Sequence, residues 1–207
     1  MASRIISELK NHLPFTAAGA AAGIVFMIIF ARIPHDTAVS VFYVLHPLHV
    51  LLSALVTASM FEFYRCKKKK TIKGYIMIAV IGYTGSIGIA TLSDSVIPYL
   101  GEMLLDMPER EIHLGFIEKW WLVNPLALAG IAIAFFRPST KFPHLGHVLL
   151  STWASLFHIM AAVGAPPGVV TYVFIFIFLI LAVWLPCCVS DIVFPLAFAG
   201  KGAVHKH

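Results

Sequence analysis

Charge is what this chain has least of: Asp, Glu, Lys and Arg make up 12% of its 207 residues, about half the share in soluble globular domains. With 59% hydrophobic residues and a mean hydropathy of +0.89, that scarcity excludes most soluble folds and predicts an all-α integral membrane protein. Cysteine is scarce as well. Cys66, Cys187 and Cys188 do not make a disulfide framework. Met1 to Lys10 lacks the small-residue cleavage site of a leader, and the apolar run behind it is long enough to span, so nothing is expected to be removed. There is also little chain to spare outside a bilayer, because each spanning helix takes about 20 apolar residues.

The charge that is present is unevenly placed. Arg65, Lys67, Lys68, Lys69, Lys70 and Lys73 supply much of the net +5, in a short loop between apolar stretches. That is the pattern of a cytoplasmic loop, and no nucleic-acid partner is expected from it. Six spans follow from the apolar runs, at about 13–33, 38–63, 74–97, 113–136, 144–163 and 169–198. Placing 64–73 inside also puts Arg4, Lys10, Arg137, Lys141, Lys201 and Lys206 inside, and it puts Glu102, Asp106, Glu109 and Glu111 outside. Both termini are then cytoplasmic, and a multi-pass protein of the cytoplasmic membrane of a prokaryote is expected.

Self-similarity is the most informative feature. His46-Pro-Leu-His49-Val-Leu-Leu-Ser53 matches His144-Leu-Gly-His147-Val-Leu-Leu-Ser151 at six of eight positions with an offset of 98. Ser93-Asp94-Ser-Val-Ile-Pro98 matches Ser190-Asp191-Ile-Val-Phe-Pro195 at four of six with an offset of 97. Two matches in one order at nearly one offset indicate a duplication. The expected halves are 1–101 and 113–207, joined by an external acidic linker at 102–112. Each holds three spans, and three is odd, so the second copy enters the membrane from the opposite side. Such 3+3 inverted repeats typify secondary transporters, whose halves rock about a site near the midplane.

Ionisable groups inside a span cost about 2.5–3.5 kcal/mol each, so those present need partners or a purpose. His46 and His49 lie one turn apart, with Ser53 continuing their face, and His144, His147, Ser151 and His158 form a similar stripe in the fifth span. Together with Asp94, Glu118 and Asp191 these are the candidate metal ligands, and His113, Cys187, Cys188, Ser53 and Ser151 are secondary candidates. Imidazole with carboxylate suits borderline divalent ions such as Zn²⁺, Fe²⁺, Mn²⁺, Co²⁺ and Ni²⁺. Read blandly, an intramembrane His is a helix-to-helix hydrogen bond, and the Cys187-Cys188 pair in its apolar run reads as packing. His12, His35, His205 and His207 read as solvated or locally bonded, Trp120-Trp121 as an interfacial anchor, and Glu62 as reaching back to the basic loop.

The function expected from these residues is transport of divalent transition-metal ions, coupled to protons because metal must displace them from its ligands. The partners expected are the lipid bilayer, metal ions, protons and a second copy in a homodimer. Three alternatives use the same residues. One is a membrane-embedded di-metal enzyme, although no further base, nucleophile or lid is evident. Another is a b-type haem subunit, for which His49 with His158 would serve as axial ligands. The third is an accessory subunit in which the polar residues only lock helices together.

Overall fold

The computed structural model describes residues 2–65, 71–189 and 193–199, and every regular element among them is helical. In chain order these are α1 (Ala2–Ile29), α2 (His35–Arg65), α3 (Ile72–Thr91), a π-turn (Leu92–Val96), α4 (Ile97–Leu104), α5 (Gly115–Glu118), α6 (Trp120–Phe136), α7 (Lys141–Ala162), α8 (Val169–Cys188) and α9 (Phe194–Ala199). The segments His35–Phe63, Ile72–Leu104, His144–Ala162 and Val169–Cys187 are long and apolar enough to cross a membrane, and Leu13–Ile29 and Trp120–Phe136 are shorter apolar helices.

Polarity is arranged inside out. His46, His49, Asp94, Glu102, His147 and His158 are at most 1% exposed, while Val25, Ile29, Ile76, Val80, Leu128, Val170 and Phe136 lie on the surface. An apolar surface this extensive around a polar interior is what a lipid solvent selects. Trp120 and Trp121 are both exposed, as expected of an anchor at the headgroup level.

Small residues bring the helices together. Gly130 of α6 packs onto the backbone of Leu51 and onto Ala54 in α2, Gly82 of α3 meets Ala58 and Ile131, and Gly23 of α1 meets Leu156 of α7. The pattern of neighbours is reciprocal: α1 lies on α7 and α8, whereas α6 lies on α2 and α3. A core of Met27, Phe42, Leu156, Ile159, Ile175 and Leu179 joins α1, α2, α7 and α8. At one end, which we call the acidic end, His35 Nδ1 donates to the Ala161 carbonyl at 3.0 Å and the Glu109 N–H donates to the Ala162 carbonyl at 3.2 Å. The turn from α7 to α8 passes through Gly164 at φ +64°, a left-handed backbone that favours glycine.

Two boundaries differ from those read in the sequence, and both differences shape the site. The third helix does not stop at 97 but runs on to Leu104, so Glu102 is part of α4 and buried, not part of an exposed linker. It can continue because Pro98, which cannot donate to the Asp94 carbonyl, follows a π-turn in which the Ile97 N–H reaches back to Leu92. Val189 and Val193, 97 residues after Leu92 and Val96, are π-helical too. The fourth apolar stretch is broken at Lys119, whose φ of −120° and ψ of 42° separate the single turn of α5 from α6.

Candidate metal centre

Pro47 and the His residues on either side of it stand in α2, facing the π-turn. That turn aims Asp94 into the bundle, where its carboxylate meets four donors. Oδ2 accepts from His46 Nδ1 at 2.9 Å and from His49 Nδ1 at 2.6 Å. Oδ1 accepts from the hydroxyls of Ser93 at 2.7 Å and Ser151 at 2.8 Å. An ionised carboxylate only accepts, so both imidazoles carry a proton on Nδ1 and present the lone pair of Nε2 when neutral. Neither Nε2 has a hydrogen-bond partner among the described residues. A carboxylate fixing the far nitrogen is the support that metal-binding histidines ordinarily have.

Only His49 of this pair reaches a cluster. One ligand atom each from His49 in α2, His147 in α7 and Cys187 in α8 lie within 4.8 Å of one another, all three residues buried. The His49 and His147 rings are near-parallel at 6° with centres 5.7 Å apart, and His144 stands against His147 with ring centres 5.0 Å apart. Metal–ligand bonds of about 2.0–2.3 Å set tetrahedral ligands about 3.3–3.8 Å apart, so a contraction of roughly 1 Å would close these three around an ion. His46 is held out of the cluster. Gly115 of α5 covers its ring so closely that a Cβ there would fall 2.7 Å from Nε2.

A second polar group lies nearer the acidic end. His158 Nδ1 donates to Glu102 Oε1 at 2.6 Å, and both side chains are buried. His113 packs edge-on to His158 with ring centres 5.3 Å apart, and the Phe42 ring sits among His46, His113 and His158. Glu118 is not inside a span. Its side chain is 41% exposed, and it takes hydrogen bonds from the Tyr43 hydroxyl and from the Leu114 N–H, with His113 Nδ1 at 3.5 Å. Burial alone would raise the Glu118 pKa, but the Tyr43 and Leu114 hydrogen bonds and the nearby His113 bring it below the ordinary 4.5. Burial, then repulsion from His158, holds His113 below its ordinary 6.5.

Of the residues singled out in the sequence, the structure therefore joins His46, His49, Asp94 and Ser151 in one network. It places His147 and Cys187 beside His49, with His144 against His147, and it sends His113, Glu118 and His158 to a separate group. Ser53 is buried on the His49 face of α2. Asp191 and the side chain of Cys188 lie outside the described residues. Glu62 is buried rather than turned outward. Sequence reasoning missed Glu102, although it follows Asp94 at the eight-residue interval that keeps one helical stripe, and it missed Tyr43, three residues before His46. No protein-family model, curated protein or solved structure matches the chain.

Proposed function

We propose that this protein transports divalent transition-metal ions, with His49, His147 and Cys187 as the principal ligands of the cargo. One observation carries the reading: two imidazoles and a thiol from three helices converge within 4.8 Å in a sealed interior, with His49 braced by Asp94 from behind. Two nitrogens and a thiolate favour Zn²⁺, Co²⁺, Ni²⁺ or Fe²⁺ over the harder Mn²⁺. Three protein ligands leave one coordination position free, through which a cargo can arrive and depart.

The organisation around the cluster favours transport over catalysis. Its ligands are drawn from both halves of the duplication, His49 from the first and His147 with Cys187 from the second. The reciprocal packing of α1 on α7 and α8 and of α6 on α2 and α3 is what two interlocked inverted copies would give. The recurrence of π-helical residues at an offset of 97 supports the same duplication. In this reading six helices span, with Leu13–Ile29 of α1 and Trp120–Phe136 of α6 as the two shorter apolar segments, and the basic loop and both termini face the cytoplasm. The halves rock about the cluster to expose it alternately. A haem between His49 and His158 is disfavoured: His158 lies eleven residues beyond His147 on α7, about 16 Å along the helix.

Cobalt titration of the detergent-purified protein tests the metal site, because a Co²⁺–thiolate bond gives an intense near-ultraviolet charge-transfer band. The account expects one Co²⁺ per chain, displaced by Zn²⁺. The band should vanish in Cys187→Ser while weaker d–d absorption persists, and binding should be lost in His49→Ala/His147→Ala. A wild-type protein that takes up no Co²⁺ would overturn the reading.

A further inference from the structure

We propose that Glu102 and His158 form the proton-binding site that couples metal movement to a proton gradient, separate from the metal cluster. The proposal rests on the transporter reading and adds to it the identity and place of the coupling group. Two ionisable side chains, both fully buried, meet at 2.6 Å near the acidic end of the bundle. His158 Nε2 and Glu102 Oε2 have no hydrogen-bond partner among the described residues. With His158 neutral, its Nδ1–H donates to the carboxylate and the pair carries one negative charge. A proton taken at Nε2 makes it a neutral imidazolium–carboxylate pair, and release returns the negative charge. Among the described residues, His113 packs on the His158 ring, His46 lies across the Phe42 ring and bonds to Asp94, Tyr43 and Glu118 lie beyond His113 with Lys119 over the Tyr43 ring, and the His35–Glu109 contact lies beyond Ala161.

The pair has a route to the acidic side and a mechanical link to the cargo site. The route is His113, which packs on the His158 ring and reaches toward the half-exposed Glu118. The link is a ladder of three rungs from α7 to the π-turn and α4. Ser151 donates to Asp94 Oδ1 at 2.8 Å, Ser155 donates to the Ser93 carbonyl at 2.9 Å, and His158 donates to Glu102. The last rung is the one of the three with an ionisable group on both sides, and a hydrogen bond between imidazolium and carboxylate is stronger than one from a neutral ring. Protonation therefore tightens α7 against α4 at the acidic end, and proton release loosens it. Asp94, which orients His49, hangs on the same ladder.

Proteoliposomes enclosing a pH-sensitive dye, given a Zn²⁺ gradient, read both movements at once. Wild type should move protons against Zn²⁺. Glu102→Gln and His158→Gln should keep Co²⁺ binding and Zn²⁺-for-Zn²⁺ exchange, yet show proton flux no greater than that of empty vesicles. Undiminished Zn²⁺-driven proton flux in both variants would overturn the proposal while leaving the transporter reading intact. Zn²⁺ binding without any Zn²⁺ flux in wild type would instead sink the transporter reading. Should the variants fail to fold, pH-difference infrared spectra of wild type carrying ring-labelled histidine remain decisive. A buried imidazole titrating together with a carboxylate supports the site, and a histidine spectrum that shows only exposed rings refutes it.

Discussion

Asp94 accepts from His46, His49, Ser93 and Ser151 together, and it thereby determines the tautomer of both imidazoles. An amide in its place would offer an N–H₂ toward rings that are themselves donors there, so the His49 ring would flip or turn. Asp94→Asn is therefore expected to weaken metal binding by about 10–100-fold, measured by competition with a chelator, while Cys187 still contributes its thiolate band to whatever metal remains bound. Much of this network was legible from spacing alone, since His-x-x-His and the Ser-Asp-x-x-x-Pro motif each recur. Two of its neighbours were not. Cys187 sits in a run so apolar that packing was the natural reading, and only the approach of α8 to α2 and α7 brings it to His49 and His147. His158 and Glu118 do not bond to each other, and His113 stands between them. The short loop around Lys119 keeps Glu118 at the surface, and the extension of α4 supplies Glu102 to His158 in its stead.

Proline placement at the element scale tells more than hydropathy does. Pro98 denies the Asp94 carbonyl its usual partner, and the helix answers with a wider turn instead of ending. Hydropathy placed six apolar stretches, of which four are long enough to cross a membrane and two are shorter helices, and it put the end of the third at 97, because an Asp followed by a Pro reads as a boundary. Helix contacts were less visible, since a glycine in an apolar run shows no preference for a partner. Gly130 and Gly88 make the contrast testable. A Cβ at Gly130 would strike the Leu51 carbonyl oxygen, whereas one at Gly88 meets nothing within 4 Å. Gly130→Ala should destabilise the folded protein by about 1–3 kcal/mol through overpacking. Gly88→Ala should be neutral or stabilising by up to about 1 kcal/mol through helix propensity. Thermal melting in one detergent compares the two, and equal melting temperatures would show that α2 and α6 are not in close contact.

For the whole molecule, the observed feature is an all-helical bundle with polar groups collected between α2 and α7, and the proposed function reads it as a duplication whose second half inverts the first. The repeat was read from fourteen aligned positions, and what they could not supply was the packing of α1 on α7 and α8 and of α6 on α2 and α3. In the proposed function one ion would take a ligand from each half, so a relative movement of the halves would change its coordination. The most direct test of this account is Zn²⁺ uptake into proteoliposomes of wild type beside Cys187→Ser and His147→Ala. The account predicts saturable, protein-dependent Zn²⁺ entry in wild type and its loss in both variants, with all three proteins reconstituted to the same density. Zn²⁺ entry that persists undiminished in both variants, or its absence from wild type that binds Zn²⁺, would contradict it.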